Sequence, residues 1–278
     1  MRLRAFCITT IVFFAATVSG KAQWIEAKSA HYSIFYPRGY EDDFKFTRKW
    51  LDRAEGLLKD KYGVLFSGFY ISFYLYPAPT QIAGVGLANL HCCSNGANGV
   101  KNGTISYLAP SAPAWTDAPP TSLGLPKDDN YHAKVIMSEF ITVGHYIVQE
   151  SRATTGAWRY YSAPKWFVQG LQEYDGIFHT TDTNRKTTGT ALLAWAKSHP
   201  SAFECCGSGL QISDVYNGGA TFVTFLAAKF GEDIHARLLR DDSSTFMAAL
   251  ENQTKPNSLQ ELFTKFQAWL AAPTLPAR

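Results

Sequence analysis

The spacing of apolar residues changes once along this chain, near Tyr131, and that change limits what it can fold into. Before it, His31 to Pro37 (HYSIFYP), Tyr70 to Tyr76 (YISFYLY) and Gly103 to Leu108 (GTISYL) are alternating or aromatic runs that read as strands. One helix interrupts them. Glu41 to Tyr62 opens on acidic residues, sets Phe44, Trp50, Leu51, Ala54, Leu57 and Leu58 near helical spacing, and stops at Gly63. After Tyr131 the period is helical throughout: His132 to Glu150, Pro164 to Ile177, Thr188 to Ser198, Asn217 to Phe230, then shorter helices from Asp233 to Leu250 and Ser258 to Ala272. The pattern predicts an α+β fold with a strand-rich subdomain over 23–126 and a helical one over 127–278. The Pro-rich stretch from Ala109 to Pro126 reads as a boundary or a long surface connection. No internal repeat and no glycine-rich phosphate loop is present.

Residues 1–22 have a basic start (Arg2, Arg4), an apolar run from Ala5 to Val18 and the small residues Ser19, Gly20 and Ala22, the layout of a secretory signal peptide. Export to a periplasm or the exterior is the expectation. That run is too short for a comfortable membrane span and no later stretch is apolar enough, so no membrane span is expected. Cleavage after Ala22 removes Arg2, Arg4 and Lys21 from 26 basic residues and leaves them matched to 23 acidic ones. A neutral chain gives no reason to propose nucleic acid or an anionic membrane as partner.

Four cysteines then remain, as Cys92-Cys93 and Cys205-Cys206. In an exported chain they are candidates for structural disulfides. Three connectivities are open; a bridge within an adjacent pair needs a distorted peptide, which favours links between the pairs. A metal site joining His91 to these thiols is disfavoured, because adjacent cysteines lack the spacing that turns two thiolates toward one ion.

Three further patterns occur in a fixed order: Ser138-Glu139-Phe140-Ile141-Thr142 inside the first long helix of the back half, Trp166-Phe167-Val168-Gln169-Gly170 on the next, and an aromatic segment from Tyr216 to Gly231. In this order they resemble the gluzincin zinc metallopeptidases, particularly the short peptidase MA-like proteins, over roughly His31 to Leu270. The resemblance implies a zincin-like scaffold in which an HExxH helix and a Trp-x-x-Glu-Gly helix hold zinc. It also implies an edge strand, here Gly103 to Leu108, that holds an extended peptide by backbone pairing.

The positions that carry zinc chemistry have changed. Histidines four apart on one helical face, with a carboxylate from another helix, bind the ion, and the glutamate between them polarises its water. Ser138 and Thr142 stand at the histidine positions and Gln169 at the carboxylate; only Glu139, the general-base position, is retained. Hydroxyl and amide oxygens are poor zinc ligands, so no metal and no other cofactor is expected. His145 and Glu173 lie one turn along from these positions and read as an interfacial histidine and an exposed or ion-paired glutamate. A displaced metal site is the sharper alternative for both.

Glu139, if buried, needs polar contacts, for which Ser138, Thr142, Gln169 and Tyr216 are candidates. Its sharper reading is a metal-free acid/base centre. Trp166, Tyr160, Tyr161, Tyr174 and Tyr216 read as core residues or as the lining of a cleft for a peptide or sugar. The sequence thus predicts an exported pseudo-metallopeptidase that binds a peptide or protein partner in the former active-site cleft. A hydrolase using Glu139 with a rearranged metal site is the alternative, and a structural component with a filled cleft is a third.

Overall fold

The computed structural model describes residues 23–66, 70–78, 102–152, 156–207, 209–255 and 257–276. The signal-peptide reading, His91 and the Cys92-Cys93 pair fall outside these residues. The chain is a mixed α/β protein, with one four-stranded sheet near its N-terminus followed by a mainly helical remainder. Among the described residues no helix is long and apolar enough to cross a membrane.

The sheet runs in the order β1 (Trp24–Lys28), β2 (Tyr32–Pro37), β3 (Tyr70–Tyr76) and β4 (Asn102–Leu108). β1 pairs antiparallel to β2, while β2, β3 and β4 are parallel. Parallel neighbours need a crossover, and helix α1 (Glu41–Tyr62) supplies the one between β2 and β3. Alternation along β3 turns Ile71, Phe73 and Leu75 inward, and Ile34 and Ile105 join them, all fully buried. Each contributes about 1.5–3 kcal/mol by leaving water. β1 (WIEAK) escaped the sequence reading because five residues with exposed Trp24, Glu26 and Lys28 carry too short an alternation to stand out.

α1 ends where the sequence places it. Gly63 adopts φ 61°, a left-handed turn, and its N–H returns to the carbonyls of Leu58 and Lys59. The Pro-rich stretch is more than a surface connection: Asp43 at the start of α1 accepts hydrogen bonds from the Ser111 N–H (2.7 Å) and hydroxyl (2.6 Å). Trp115 in that stretch is buried and donates its indole N–H to the Ala109 carbonyl at 2.9 Å.

The helical remainder holds α2 (Asp129–Arg152), α3 (Lys165–Phe178), α4 (Gly189–Ser198), α5 (Asn217–Phe230), α6 (Ile234–Leu239), α7 (Phe246–Gln253) and α8 (Leu259–Ala271). Asp128 starts α2 by accepting from the N–H groups of Asn130 (3.0 Å) and Tyr131 (3.1 Å). α5 is buried from Asn217 to Ala227 and forms the centre of this half. It meets α3 backbone to backbone: a Cβ on Gly170 would lie 2.3 Å from the Gly219 carbonyl carbon. α1 packs on α2, so one apolar core runs from Tyr32 to Trp269.

A small hairpin, β5 (Phe203–Glu204) with β6 (Gln211–Ile212), was not foreseen. It carries Cys205 and Cys206, whose sulfurs face each other across their own cis peptide bond. The other half of the expected links between pairs, Cys92-Cys93, lies outside the described residues.

Candidate functional site

α2 and α3 cross so closely at Ser138 that a Cβ on Gly176 would come within 2.1 Å of the Ser138 hydroxyl oxygen. Ser138 is buried, and its hydroxyl donates to the Lys134 carbonyl one turn back at 2.7 Å. Thr142 does the same to the Ser138 carbonyl at 2.9 Å. Both hydroxyls are therefore spent on their own helix, the usual resort of a mid-helix Ser or Thr with no other partner. Neither contacts Glu139.

Glu139 takes its contact from a different residue. Its Oε1 accepts from the Gln172 amide at 2.7 Å, one turn beyond Gln169. The expectation that Ser138, Thr142, Gln169 or Tyr216 supplies this bond is corrected: the rotation of α3 brings Gln172 to the α2 interface, and Gln169 is only half-buried. Burial pushes the Glu139 carboxyl up to about 8; the Gln172 hydrogen bond opposes this, the Glu173 charge adds to it and Lys134 opposes it. Next to it, Lys134 pairs with Glu173 at 2.5 Å. Glu173 is thus the ion-paired helix residue that the sequence suggests.

His145 is fully buried and turns away from this group. Its Nε2 meets Asp175 Oδ2 at 2.9 Å. The Tyr62 hydroxyl donates to the same oxygen at 2.6 Å, and Lys61 (3.1 Å) and His179 (3.3 Å) reach Oδ1. Lys61 also lies 3.4 Å from Glu232, which accepts from the Tyr174 hydroxyl at 2.5 Å. Burial alone would raise the Asp175 carboxyl, yet Lys61, His145 and His179 hold it well below the usual range. Burial lowers His145, and Asp175 only partly offsets this. Among the described residues its Nδ1 has no partner, which fits a neutral ring donating from Nε2. Sequence reading missed Asp175, although one acid inside the apolar run YDGIF is a signal for a buried partner.

The zinc that the family resemblance implies does not fit these residues. The Ser138 and Thr142 hydroxyls point into their own helix, and α3 presses on Ser138 through Gly176, which leaves no space between the helices for an ion. Among the described residues no group of three or more His, Cys, Asp or Glu side chains is arranged to hold a metal ion.

Beside the α2–α3 crossing lies a cleft of about 450 Å³. Its walls come from the Pro-rich stretch at 120–127, the start of α2 with Tyr131 and Lys134, Glu173, the turn at 183–188 and the start of α5 with Tyr216 and Asn217. Tyr216 is 52% exposed. Burial raises its hydroxyl first, then the charges of Glu139 and Glu173, so both carboxyls lie within electrostatic reach of the cleft. On its other side Tyr216 borders an open hollow of about 550 Å³ lined by Trp195, His199 and Val215. Asp214 and Tyr216 are common to both spaces.

Of the other aromatic candidates Trp166, Tyr160 and Tyr174 are core, and the Tyr161 side chain lies outside what the structure describes. Trp166 packs edge-on to Phe167, Phe222 and Phe246, and Tyr160 and Tyr174 are buried. Neither Trp166 nor Tyr216 closes the cleft. β4 is an edge strand of the sheet among the described residues, but it contributes no lining residue to the cleft. Comparison with the models of known protein families gives no match, and no curated protein matches the chain.

Proposed function

We propose that this chain is a binding protein on a zincin-like scaffold, exported and without zinc-peptidase activity, that takes an extended peptide into the cleft beside α2 and α3. One observation carries the reading: half-exposed Tyr216 lines two neighbouring spaces at once, so a ligand several residues long can lie across its ring. Tyrosine offers such a chain a large apolar face with a hydroxyl at its edge and loses little rotamer freedom on binding. Pre-placed polar groups around it, among them Asn130, Thr187 and Asn217, suit the backbone amides of a peptide.

The chemistry of the motif positions supports binding over hydrolysis. Glu139 is paired with an amide, Ser138 and Thr142 with their own helix, and none faces an electrophile or a nucleophile. The test is titration of a fluorescent random-hexapeptide pool into the purified chain and into Tyr216→Ala, with peptide cleavage followed in the same samples. Binding that weakens about tenfold in Tyr216→Ala, with no cleavage, is the expected result. Cleavage that disappears in Glu139→Gln contradicts the reading.

A further inference from the structure

The charges around the cleft do not cancel evenly. Three acids line it: Glu173 is paired with Lys134, while Asp128 and Asp214 keep their charge and turn it to the N–H groups that begin α2 and α5, where the helix N-terminus favours it. Of the two lysines in the lining, Lys134 is thus neutralised. Lys127 is not. Its ammonium lies 5.8 Å from the ring centres of both Trp115 and Tyr131, and among the described residues no carboxylate is within ion-pair distance.

Two aromatic faces hold Lys127 in place. Trp115 is buried and anchored by its own hydrogen bond, so the lysine stem packs against a fixed surface while its head stays half-buried at the cleft wall. A half-buried cation held this way has no carboxylate in ion-pair contact among the described residues, so a ligand anion gains more from it than from a freely solvated lysine. The cleft that Lys127 lines is also the more enclosed of the two spaces that share Tyr216, and the open hollow leads away from it. An enclosed space with one unpaired cation suits the end of a chain; an open hollow suits its continuation.

We propose that Lys127 receives the C-terminal carboxylate of the bound peptide, whose preceding residues pass over Tyr216 toward Trp195. This rests on the binding reading above and adds the direction of the ligand and the group by which it is recognised. Tyr131, stacked beneath Lys127, then takes the last side chain.

The test uses three fluorescent hexapeptide pools, all without acidic residues except where stated: free C-terminal acid, C-terminal amide, and C-terminal amide with one internal glutamate. Each is titrated into the full chain and into Lys127→Met, which keeps the stem and removes the charge; an unchanged melting temperature confirms that the variant folds. The free-acid pool is expected to bind about tenfold tighter than the amide, the effect of one partly desolvated ion pair, and to lose that advantage in Lys127→Met. Equal affinity of acid and amide overturns the proposal while leaving the binding reading intact, and so does a preference that survives in Lys127→Met. A Lys127-dependent gain seen only with the internal glutamate overturns the terminal assignment. Failure of all three pools to bind overturns the binding reading and this proposal together.

Discussion

At one end of the α2–α3 contact, around Ser138 and Glu139, polar groups bond within their own helix or in single pairs; at the other, Asp175 gathers side chains from α1, α2 and the residue that caps α3. Ser138, Thr142 and Glu139 each make one hydrogen bond. Asp175 is fully buried and uses both oxygens, to Tyr62 and His145 on one side and Lys61 and His179 on the other. The difference teaches which polar groups the fold depends on. A carboxylate with three cationic or ring donors and a hydroxyl cannot be removed without stranding buried charge, whereas a hydroxyl bonded to its own helix can.

The largest expected effect follows from the Asp175 end. Asp175→Asn keeps the shape and leaves Lys61 facing a neutral amide, so urea denaturation should show a loss of about 3–5 kcal/mol. A loss under 1 kcal/mol would mean that Glu232 alone compensates Lys61, and the contrast between the two ends would fail. Second is the α3–α5 contact. Gly170→Ala places a methyl against the Gly219 backbone and should cost about 1–3 kcal/mol, probed by the same denaturation.

Third, the two ends should differ in their response to pH. Glu139, raised to about 8 by burial, binds its proton more tightly folded than unfolded. Its stabilising contribution is complete below its ordinary value of 4.5 and is lost as pH rises through 8. Buried histidines act in the opposite sense. His132, lowered to about 4 by burial, contributes stability that is complete above 6.5 and is lost as pH falls through 4. Thermal melts from pH 4 to 9 should therefore peak between these limits, and Glu139→Gln should flatten only the alkaline side, by a few kcal/mol on the order of the shift. An unchanged alkaline slope in that variant would place the titrating group elsewhere. The smallest effect belongs to the motif hydroxyls: Ser138→Ala and Thr142→Ala should each change stability by about 0.5 kcal/mol or less.

Most of the fold was legible because its elements carry strong periods and stops. Glu41–Tyr62, Tyr70–Tyr76 and Asn217–Phe230 have the bounds that spacing, Gly63, Pro77 and Gly231 indicate. The hairpin at 203–212 was not, since strands of two residues have no period to detect. Around Glu139, sequence read the two helices but not the residue that bonds this carboxyl: choosing Gln172 over Gln169 requires the rotation of α3 about its axis, which the close approach of Gly176 to Ser138 fixes. The Pro-rich stretch was read as a connection because prolines give no regular element. Its role as a cleft wall depends on the long-range anchor between Ser111 and Asp43.

The central claim is that the crossing at Ser138 and Gly176 leaves no room for an ion where the family resemblance implies one, while the cleft beside it stays open. A zinc competition titration on the full chain and on the Ser138→Ala/Thr142→Ala double variant tests it most directly. The account predicts that the two proteins bind zinc identically, with no high-affinity equivalent assigned to this position. One zinc per chain, held tightly by the natural sequence and lost in the double variant, would contradict it.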